Sequence, residues 1–299
     1  QILPGNVGLI DMRMFADFEG AEDPARRQAD AALQMVSGAD AVIFDLRNNG
    51  GGSPAMVGYL VSAFVGPDAD VYNRFHSREG EASEAPAQPY AAPRLDVPVY
   101  VLISGRTGSA AEAFAYTMQA AKRAVIVCET SGGAANPGGP VFTPSGYRVF
   151  ISTGSPTNPL TGGNWEKVGV RPDVAVPAEE ALETAWKAAL AGHATAAPAA
   201  ATQAAWVREA LDAKPAAVDP APYLGAYGGS VVQAGDDGLT WKNERRPAWR
   251  LRPLSPDLFF DVDEPYRRIR FVRDEAGRVT ALEVLDSQSG VSRLLRRSA

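Results

Sequence analysis

Three apolar runs in the first half of the chain each lead into a loop that is rich in glycine. The run at 42–46 leads into RNNGGGSP, the run at 97–103 into SGRTGS, and the run at 124–129 into TSGGAANPGG. Apolar strands that alternate with helices are typical of an α/β domain with a largely parallel sheet. Parallel strands would place all three loops at one carboxyl edge, where open α/β sheets hold their sites.

The pattern up to about residue 190 alternates between strands and helices. It predicts strands at 7–12, 39–46, 97–103, 124–129, 147–153 and 173–177. It predicts helices at 23–38, 54–66, 109–123 and 178–192. Asp23 is expected to cap the first helix, with Pro24 at its first position. The segment at about 67–96 is predicted as a polar, proline-rich excursion, and the third glycine-rich stretch as a loop that lasts to about 140.

The composition changes after about residue 190. Small residues at 192–202 predict a linker, and QAAWVREALDA predicts one short helix after it. Short strands separated by turns from about 220 predict a small antiparallel sheet or barrel. The predicted organisation is therefore an α/β core at 1–192, a linker with a short helix at 193–219, and a small β domain at 220–299.

Composition and motifs exclude several classes of function. The net charge is −6, with acids and bases interspersed, which argues against a nucleic-acid surface. No apolar run approaches the ~20 residues of a membrane span. Neither a dinucleotide motif nor a phosphate-binding loop is present, and no cluster has metal-ligand spacing. We therefore expect no cofactor and no metal, and we predict that the single cysteine, Cys128, is a small buried core residue.

Ser109 follows the tight turn at 104–108 and begins an alanine-rich helix. In one interpretation it is a helix N-cap, and SAAE is a capping box in which Glu112 reaches back to the backbone of the cap. In the other, the turn presents a nucleophilic hydroxyl beside glycine amides that can stabilise an oxyanion. Both can hold, because a helix N-terminus that needs a cap also favours negative charge nearby.

Three motifs together resemble one family of serine peptidases. They are FDLRNNGGG, TGSAAEAFAY with KRAVIVCETSGG, and NWEKVGVRPDVAVP. The family includes C-terminal processing proteases, the tricorn core and bacterial members similar to the interphotoreceptor retinoid-binding protein, and the last branch is the most similar. The resemblance covers about residues 1–190. It implies a crotonase/ClpP-like β/α spiral core followed by a small antiparallel β domain, a serine nucleophile, and peptide or protein substrates.

The resemblance assigns roles residue by residue. It makes Ser109 the nucleophile and builds the oxyanion hole from the amide of Ala110 with that of Gly51 or Gly52. The C-terminal processing branch uses a Ser–Lys dyad, but the matching position here is Ala134. A Ser–Lys mechanism is therefore not expected.

The tricorn-like branch instead uses a serine, a histidine, a second serine and a glutamate. Glu166 stands at the position of that glutamate. Gly132, Gly133 and Asn136 are expected to contact the substrate. The histidine of that branch lies in a small domain upstream of the core, which this sequence is expected to lack, so we expect these 299 residues to be weakly active or inactive.

The remaining candidate bases fit poorly. His76 and His193 match no catalytic position of the family, and Lys122 is expected to act only on the helix dipole. Asp45 and Arg47 are expected to form an internal ion pair that braces their loop.

Two alternatives stay open at this level. The branch includes non-enzymatic carriers of apolar ligands, so the scaffold is also compatible with binding such ligands or peptides. The β domain is also compatible with a module that recruits substrate. The resemblance further implies a periplasmic or secreted protein.

Overall fold

The computed structural model describes residues 1–192, 198–214, 216–235, 238–243 and 247–298. The chain divides into two compact units, Gln1–Ala189 and Leu190–Ala299. His193 lies outside the described residues.

The first unit contains strands and helices in alternation. Its strands are β1 (Ile2–Leu3), β2 (Val7–Asp11), β3 (Ala41–Asp45), β4 (Arg74–Ser77), β5 (Gly80–Ser83), β6 (Val99–Ile103), β7 (Ala124–Cys128), β8 (Gly138–Phe142), β9 (Arg148–Ser152), β10 (Gly154–Thr157) and β11 (Val174–Ala175). Its helices are α1 (Pro24–Met35), α2 (Pro54–Ser62), α3 (Ala110–Ala120) and α4 (Ala181–Ala191). As predicted, Asp23 caps α1, and its side chain accepts the amide of Ala25 at 2.8 Å.

The main sheet has the order β1-β2-β3-β6-β7-β11. Strands β2, β3, β6, β7 and β11 pair in parallel, and β1 is antiparallel to β2. Phe44 of β3 packs against Phe114 of α3 and Phe64 just after α2, with ring centroids 4.9 and 5.7 Å apart. These buried rings fix both helices against the sheet, and the α/β core predicted from the sequence is confirmed.

Two small sheets differ from the predicted pattern. Strands β4 and β5 lie in the polar segment that was expected to carry no strands, and they form an antiparallel sheet with β10 in the order β10-β4-β5. Strand β8 lies in the predicted loop and pairs with β9, whose position was predicted. Residues of β5, β8 and β9 are largely exposed. A strand exposed on both faces lacks the apolar alternation by which strands are recognised in a sequence.

The second unit contains helix α5 and one antiparallel sheet. Its elements are α5 (Pro198–Asp212), β12 (Gly225–Tyr227), β13 (Ser230–Gly235), β14 (Gly238–Asn243), β15 (Trp249–Ser255), β16 (Leu258–Asp261), β17 (Arg267–Arg273), β18 (Val279–Asp286) and β19 (Val291–Arg296). Each strand pairs with the next along the chain, and a bridge between Tyr227 and Arg297 joins the two ends. The predicted antiparallel β domain is therefore a nearly closed barrel.

Helix α5 is longer than the short helix that the sequence predicts. It begins at Pro198, inside the segment that was interpreted as linker. Proline is favoured at the first position of a helix, and the alanines that follow have the highest helix propensity.

Candidate functional site

The three glycine-rich loops lie together at the carboxyl edge of the parallel strands. We name them loop A (47–53), loop B (104–109) and loop C (129–137). The amide of Gly108 in loop B donates to the carbonyl of Asn49 in loop A at 3.1 Å. The amide of Gly132 in loop C donates to the carbonyl of Thr107 in loop B at 2.9 Å. Loop B is thus bonded on both sides, as its parallel strands predict.

Ser109 occupies the N-cap position of α3 with φ 52° and ψ −120°. A positive φ is uncommon for a residue other than glycine, and such a conformation costs about 1–3 kcal/mol. The strand, the tight turn and the helix N-terminus together place the serine at the edge of the sheet. Serine nucleophiles in other α/β enzymes occupy a similarly strained turn between strand and helix.

Gly51 packs directly against Ser109. A Cβ atom built on Gly51 would lie 2.7 Å from the Cβ of Ser109 and 3.0 Å from the amide nitrogen of Ala110. The φ of Gly51 is 116°, which only glycine adopts readily. The amide of Gly51 donates to Oδ1 of Asn49 at 2.9 Å. That amide therefore already has an acceptor inside the loop.

Gly52 continues loop A with φ 140°. A Cβ atom on Gly52 would lie 2.0 Å from the carbonyl oxygen of Phe15, so this position also requires glycine. The backbone of Phe15 forms hydrogen bonds with both neighbours of Gly52. Its amide donates to the carbonyl of Gly51, and its carbonyl accepts the amide of Ser53. The amide of Gly52 itself has no acceptor among the described residues, which leaves it available to a ligand.

Asn49 is a structural residue of this site that sequence reasoning missed. Its side chain is fully buried, and Nδ2 donates to the carbonyl of Met12 at 2.9 Å while Oδ1 accepts Gly51. Asparagine can thus bond two backbone segments at once. A signal for this role is the asparagine pair that immediately precedes the three glycines.

Glu112 connects loops B and C. The sequence predicts that it reaches back to Ser109, and its Oε2 accepts that amide at 2.8 Å. The same oxygen accepts the amide of Ala134 at 2.8 Å, and Oε1 accepts the amide of Gly133 and the hydroxyl of Ser131, both at 2.6 Å. The side chain is fully buried. A capping-box residue therefore also holds the loop that faces the serine, which its spacing in the sequence does not reveal.

Glu166 binds the end of loop C. Its Oε2 accepts the amides of Ala135 and Asn136 at 2.9 and 3.0 Å. Oε1 of Glu166 makes no hydrogen bond to the described residues. The side-chain Oδ1 of Asn136 is buried and also has no partner within the described part of the chain. The structure thus brings Glu166 and Asn136 together and leaves one acceptor open on each.

Gly132 and Gly133 are held by the protein itself. The amide of Gly132 donates to Thr107, and that of Gly133 donates to Glu112. The carbonyl of Gly133 accepts the amide of Lys167 at 2.8 Å. These contacts set the path of loop C beside the serine.

The residues that the sequence analysis excluded as general bases are not part of the site around Ser109. Lys122 follows the carboxyl end of α3 with φ 54°. It lies 13 residues beyond Ser109, which corresponds to about 20 Å at 1.5 Å per helical residue. His76 is on β4, where its Nδ1 lies 3.2 Å from a carboxylate oxygen of Glu81. Ala134 carries no ionisable group.

The ion pair predicted between Asp45 and Arg47 is confirmed. The guanidinium binds both carboxylate oxygens, at 2.9 and 2.6 Å, and the bond to Asp45 raises the pKa of Arg47. Ser104 of loop B donates to the backbone carbonyl of Arg47 at 2.6 Å, and this bond joins loop A to loop B beside the ion pair. Cys128 is buried, as predicted, and burial raises the pKa of its thiol.

Among the described residues, no group of three or more histidine, cysteine, aspartate or glutamate side chains is placed to hold a metal ion. None of the helices that the structure describes has the length and apolar character needed to cross a membrane.

Three solved structures are similar to part of this chain. A structure from Parabacteroides merdae, described as that of a candidate peptidase, is 20% identical, with a TM-score of 0.50, over 64% of this chain and 66% of its own. The photosystem II D1 C-terminal processing protease is 24% identical, with a TM-score of 0.45, over 60% of this chain and 45% of its own. A lipoprotein from Streptococcus agalactiae is 15% identical, with a TM-score of 0.49, over 64% of this chain and 69% of its own.

The chain thus spans less than half of the processing protease that it matches. The family model for Peptidase family S41 matches residues 6–176, which is more than half of the chain and includes loops A, B and C and Glu166. By this match the chain belongs to peptidase family S41.

Proposed function

We propose that the chain is a serine peptidase in which Ser109 attacks the carbonyl carbon of a peptide bond. The observation that carries this proposal is the strained turn that holds Ser109 at the N-terminus of α3, against Gly51 and the amide of Ala110. A helix N-terminus favours negative charge nearby, so the site suits the oxyanion that forms when a hydroxyl attacks a carbonyl.

The amides of Ala110 and Gly52 are the proposed oxyanion hole. Membership of the family suggests Ala110 together with Gly51 or Gly52. The bond from Gly51 to Asn49 favours Gly52 as the second donor, because its amide has no acceptor within the described residues. Gly51 then has a structural role. Its close packing on Ser109 keeps loop A near the carbonyl group that reacts.

The proposed mechanism is tricorn-like and does not use a Ser–Lys dyad. The dyad position is Ala134, and Lys122 is at the far end of α3. Glu166 anchors loop C with one carboxylate oxygen and keeps the other open. That open oxygen can orient the N–H of an imidazole, as a carboxylate does in a catalytic triad.

The general base is then a histidine that the described residues around Ser109 do not supply. Loss of a triad member costs about 10⁴-fold or more in rate. We therefore expect these residues by themselves to hydrolyse peptides very slowly. The open Oδ1 of Asn136 and the path of Gly132 and Gly133 support the proposal that loop C contacts the substrate backbone. Following the family, we propose a periplasmic or secreted location.

A fluorophosphonate probe, which reacts with activated serines, tests this proposal. We expect slow labelling of the chain, faster labelling when free imidazole is added, and none in Ser109→Ala with or without imidazole. Glu166→Gln should lose most of the imidazole effect, whereas the exposed Glu180→Gln should keep it. Equal labelling of Ser109→Ala would remove Ser109 as the nucleophile. Rapid labelling without imidazole would mean that a base lies within the chain.

A further inference from the structure

A cavity of about 410 Å³ lies in the first unit, beside the N-terminal ends of α1 and α2. The segment 83–88 forms its other wall. Phe18, Pro54, Ala55 and Pro86 give it a largely apolar lining. None of the residues assigned above to the peptidase site lines this cavity. Its lining also contains two buried ionisable side chains that the proposed peptidase chemistry does not use.

The first of these side chains is Arg26. It is 8% exposed, and its Nε has no hydrogen-bond partner among the described residues. The guanidinium carbon lies 3.9 Å from the ring centroid of Tyr59 and 5.5 Å from that of Phe18. Within the described part of the chain, no carboxylate lies within ion-pair distance of this guanidinium. The guanidinium is compensated by these rings and by the hydroxyl of Tyr59, which in turn donates to Asp30. A buried cation without a direct counter-ion is costly, so the site favours an anion that brings its own charge.

The second side chain is Glu84, which is 4% exposed. Its Oε2 accepts Nδ2 of Asn73 at 2.8 Å, and its Oε1 has no partner in the described residues. Burial raises the pKa of Glu84 to about 8, and the hydrogen bond from Asn73 offsets part of that increase. At neutral pH the carboxyl is therefore mostly protonated, and a protonated carboxyl can donate a hydrogen bond to an anion.

The protein holds Glu84 in place independently of any ligand. A Cβ atom on Gly58 would lie 1.9 Å from the carbonyl oxygen of Glu84, so the segment lies directly on α2. Asn73 also donates to Oγ1 of Thr117 at 3.1 Å and accepts Nδ2 of Asn158 at 3.0 Å. A site whose polar groups are fixed in advance loses little entropy when it binds.

We propose that this cavity binds a carboxylate carried on an apolar body, with Arg26 as its cation and Glu84 as a second hydrogen-bond donor. The apolar body would lie against Phe18, Pro54 and Pro86. Other titratable groups nearby are Tyr72, Tyr59, Glu19 and Asp30, whose carboxylate accepts the hydroxyl of Tyr59. Burial, and secondarily Glu84, raises the pKa of Tyr72, while burial raises that of Tyr59 to about 12. Glu19 is at the exposed rim, where water screens its charge.

Titration calorimetry with hexanoate as the probe tests the proposal. We expect hexanoate to bind, and hexanamide and hexylamine to bind at least about tenfold more weakly, because they lack the anionic group. Arg26→Met should lose at least about tenfold in affinity for hexanoate. The matched control Arg27→Met changes an exposed neighbour and should bind like the unchanged protein. Equal binding of hexanamide, or full affinity in Arg26→Met with its unfolding temperature retained, would refute the proposal.

A pH series provides a test that does not depend on removing the cation. The affinity for hexanoate should fall as the pH rises through about 8, because Glu84 then becomes an anion. In Glu84→Gln the amide remains a donor at every pH, so this fall should disappear. A fall of the same size in Glu84→Gln would contradict the role of Glu84.

Two further binding experiments complete the test. The first identifies the source of the carboxylate, and the second separates this site from the peptidase site. A short blocked peptide with one glutamate offers the same group as a side chain. Preference for it over hexanoate would assign the site to peptides, and preference for hexanoate would assign it to free acids. Binding should persist in Ser109→Ala, so failure of the peptidase proposal leaves this result unaffected. Loss of binding in folded Ser109→Ala would show that the cavity is not a separate site.

Discussion

The carboxylate of Glu112 accepts the backbone amide of Ser109 at 2.8 Å and, with its other contacts, joins the serine turn to loop C. Four donors converge on this one buried side chain. The position of the serine and the path of the loop opposite it therefore depend on the same group.

Replacement of Glu112 by glutamine should destabilise the first unit. One carboxylate oxygen becomes an NH₂ group that faces N–H or O–H donors, which leaves buried polar groups unpaired and costs about 2–4 kcal/mol. The measurement is the free energy of unfolding in urea. Glu22→Gln is the control, since the side chain of Glu22 is 93% exposed and its replacement should change little. Equal stabilities of the two variants would contradict the role given to Glu112.

Replacement of Gly52 by alanine should disrupt loop A. Its new methyl group would lie 2.0 Å from the carbonyl oxygen of Phe15, at a φ of 140° that alanine rarely adopts. We expect a loss of about 2–4 kcal/mol and slower labelling of Ser109. Gly50→Ala is the matched control, because a Cβ atom at Gly50 meets no atom within 4 Å. If Gly52→Ala were as stable as Gly50→Ala, the described backbone of loop A would be wrong.

The stability of the first unit should depend on pH through Glu84. Its pKa is about 8 in the folded protein and near its ordinary value when unfolded, so the folded state binds the proton more tightly. The contribution of this proton to the free energy of unfolding is complete below the pKa that Glu84 has in the unfolded chain. It is lost as the pH rises through the folded pKa of about 8. Relative to the unchanged protein, Glu84→Gln should become more stable as the pH rises over this window.

Scanning calorimetry at several pH values measures that difference. Because the chain has two units, the transition of the first unit must be separated from that of the second. Glu79→Gln serves as the control, since Glu79 is exposed and its replacement should shift the transition equally at each pH. A difference between Glu84→Gln and the unchanged protein that is the same at every pH would contradict this prediction.

Helix α5 should depend on one ion pair within the second unit. Arg268 is 6% exposed, lies 4.2 Å from the ring centroid of Trp206, and donates to Glu209 at 2.7 Å. Glu209→Gln removes the charge that offsets this guanidinium and should cost about 1–3 kcal/mol. Hydrogen exchange of the α5 amides measures the loss. The exposed Glu275→Gln should leave their exchange unchanged, and unchanged exchange in Glu209→Gln would show that the pair contributes nothing.

The sequence predicts the parallel core well because its strands are buried and its helices carry local signals. The apolar runs that end at 46, 103 and 129 are long enough to be recognised without tertiary contacts, and Asp23 with Pro24 identifies the start of α1. The position of Ser109 can be predicted in the same way, because it follows an apolar strand and a tight turn and begins a helix. Such features depend on neighbours in the sequence, so they can be predicted from it.

The contacts made at a distance could not be predicted. Glu112 appears as a capping residue, but its bonds to Ser131 and Gly133 exist only once loop C has folded back. The choice between Gly51 and Gly52 depends on where the side chain of Asn49 points. Arg26 and Glu84 are far apart in the sequence, and only the folded chain brings them to the lining of one cavity. Periodicity does not encode such relationships.

The barrel of the second unit has a consequence for how that unit folds. Because each strand pairs with its neighbour in the chain, most of its contacts are local in sequence, and low contact order favours rapid folding. The bridge between Tyr227 and Arg297 is an exception, supported by the amide of Gly228 donating to Arg296 and that of Ser298 donating to Ala226. Hairpins can therefore form one after another as the chain is synthesised, and ring closure waits until residues 296–298 have emerged.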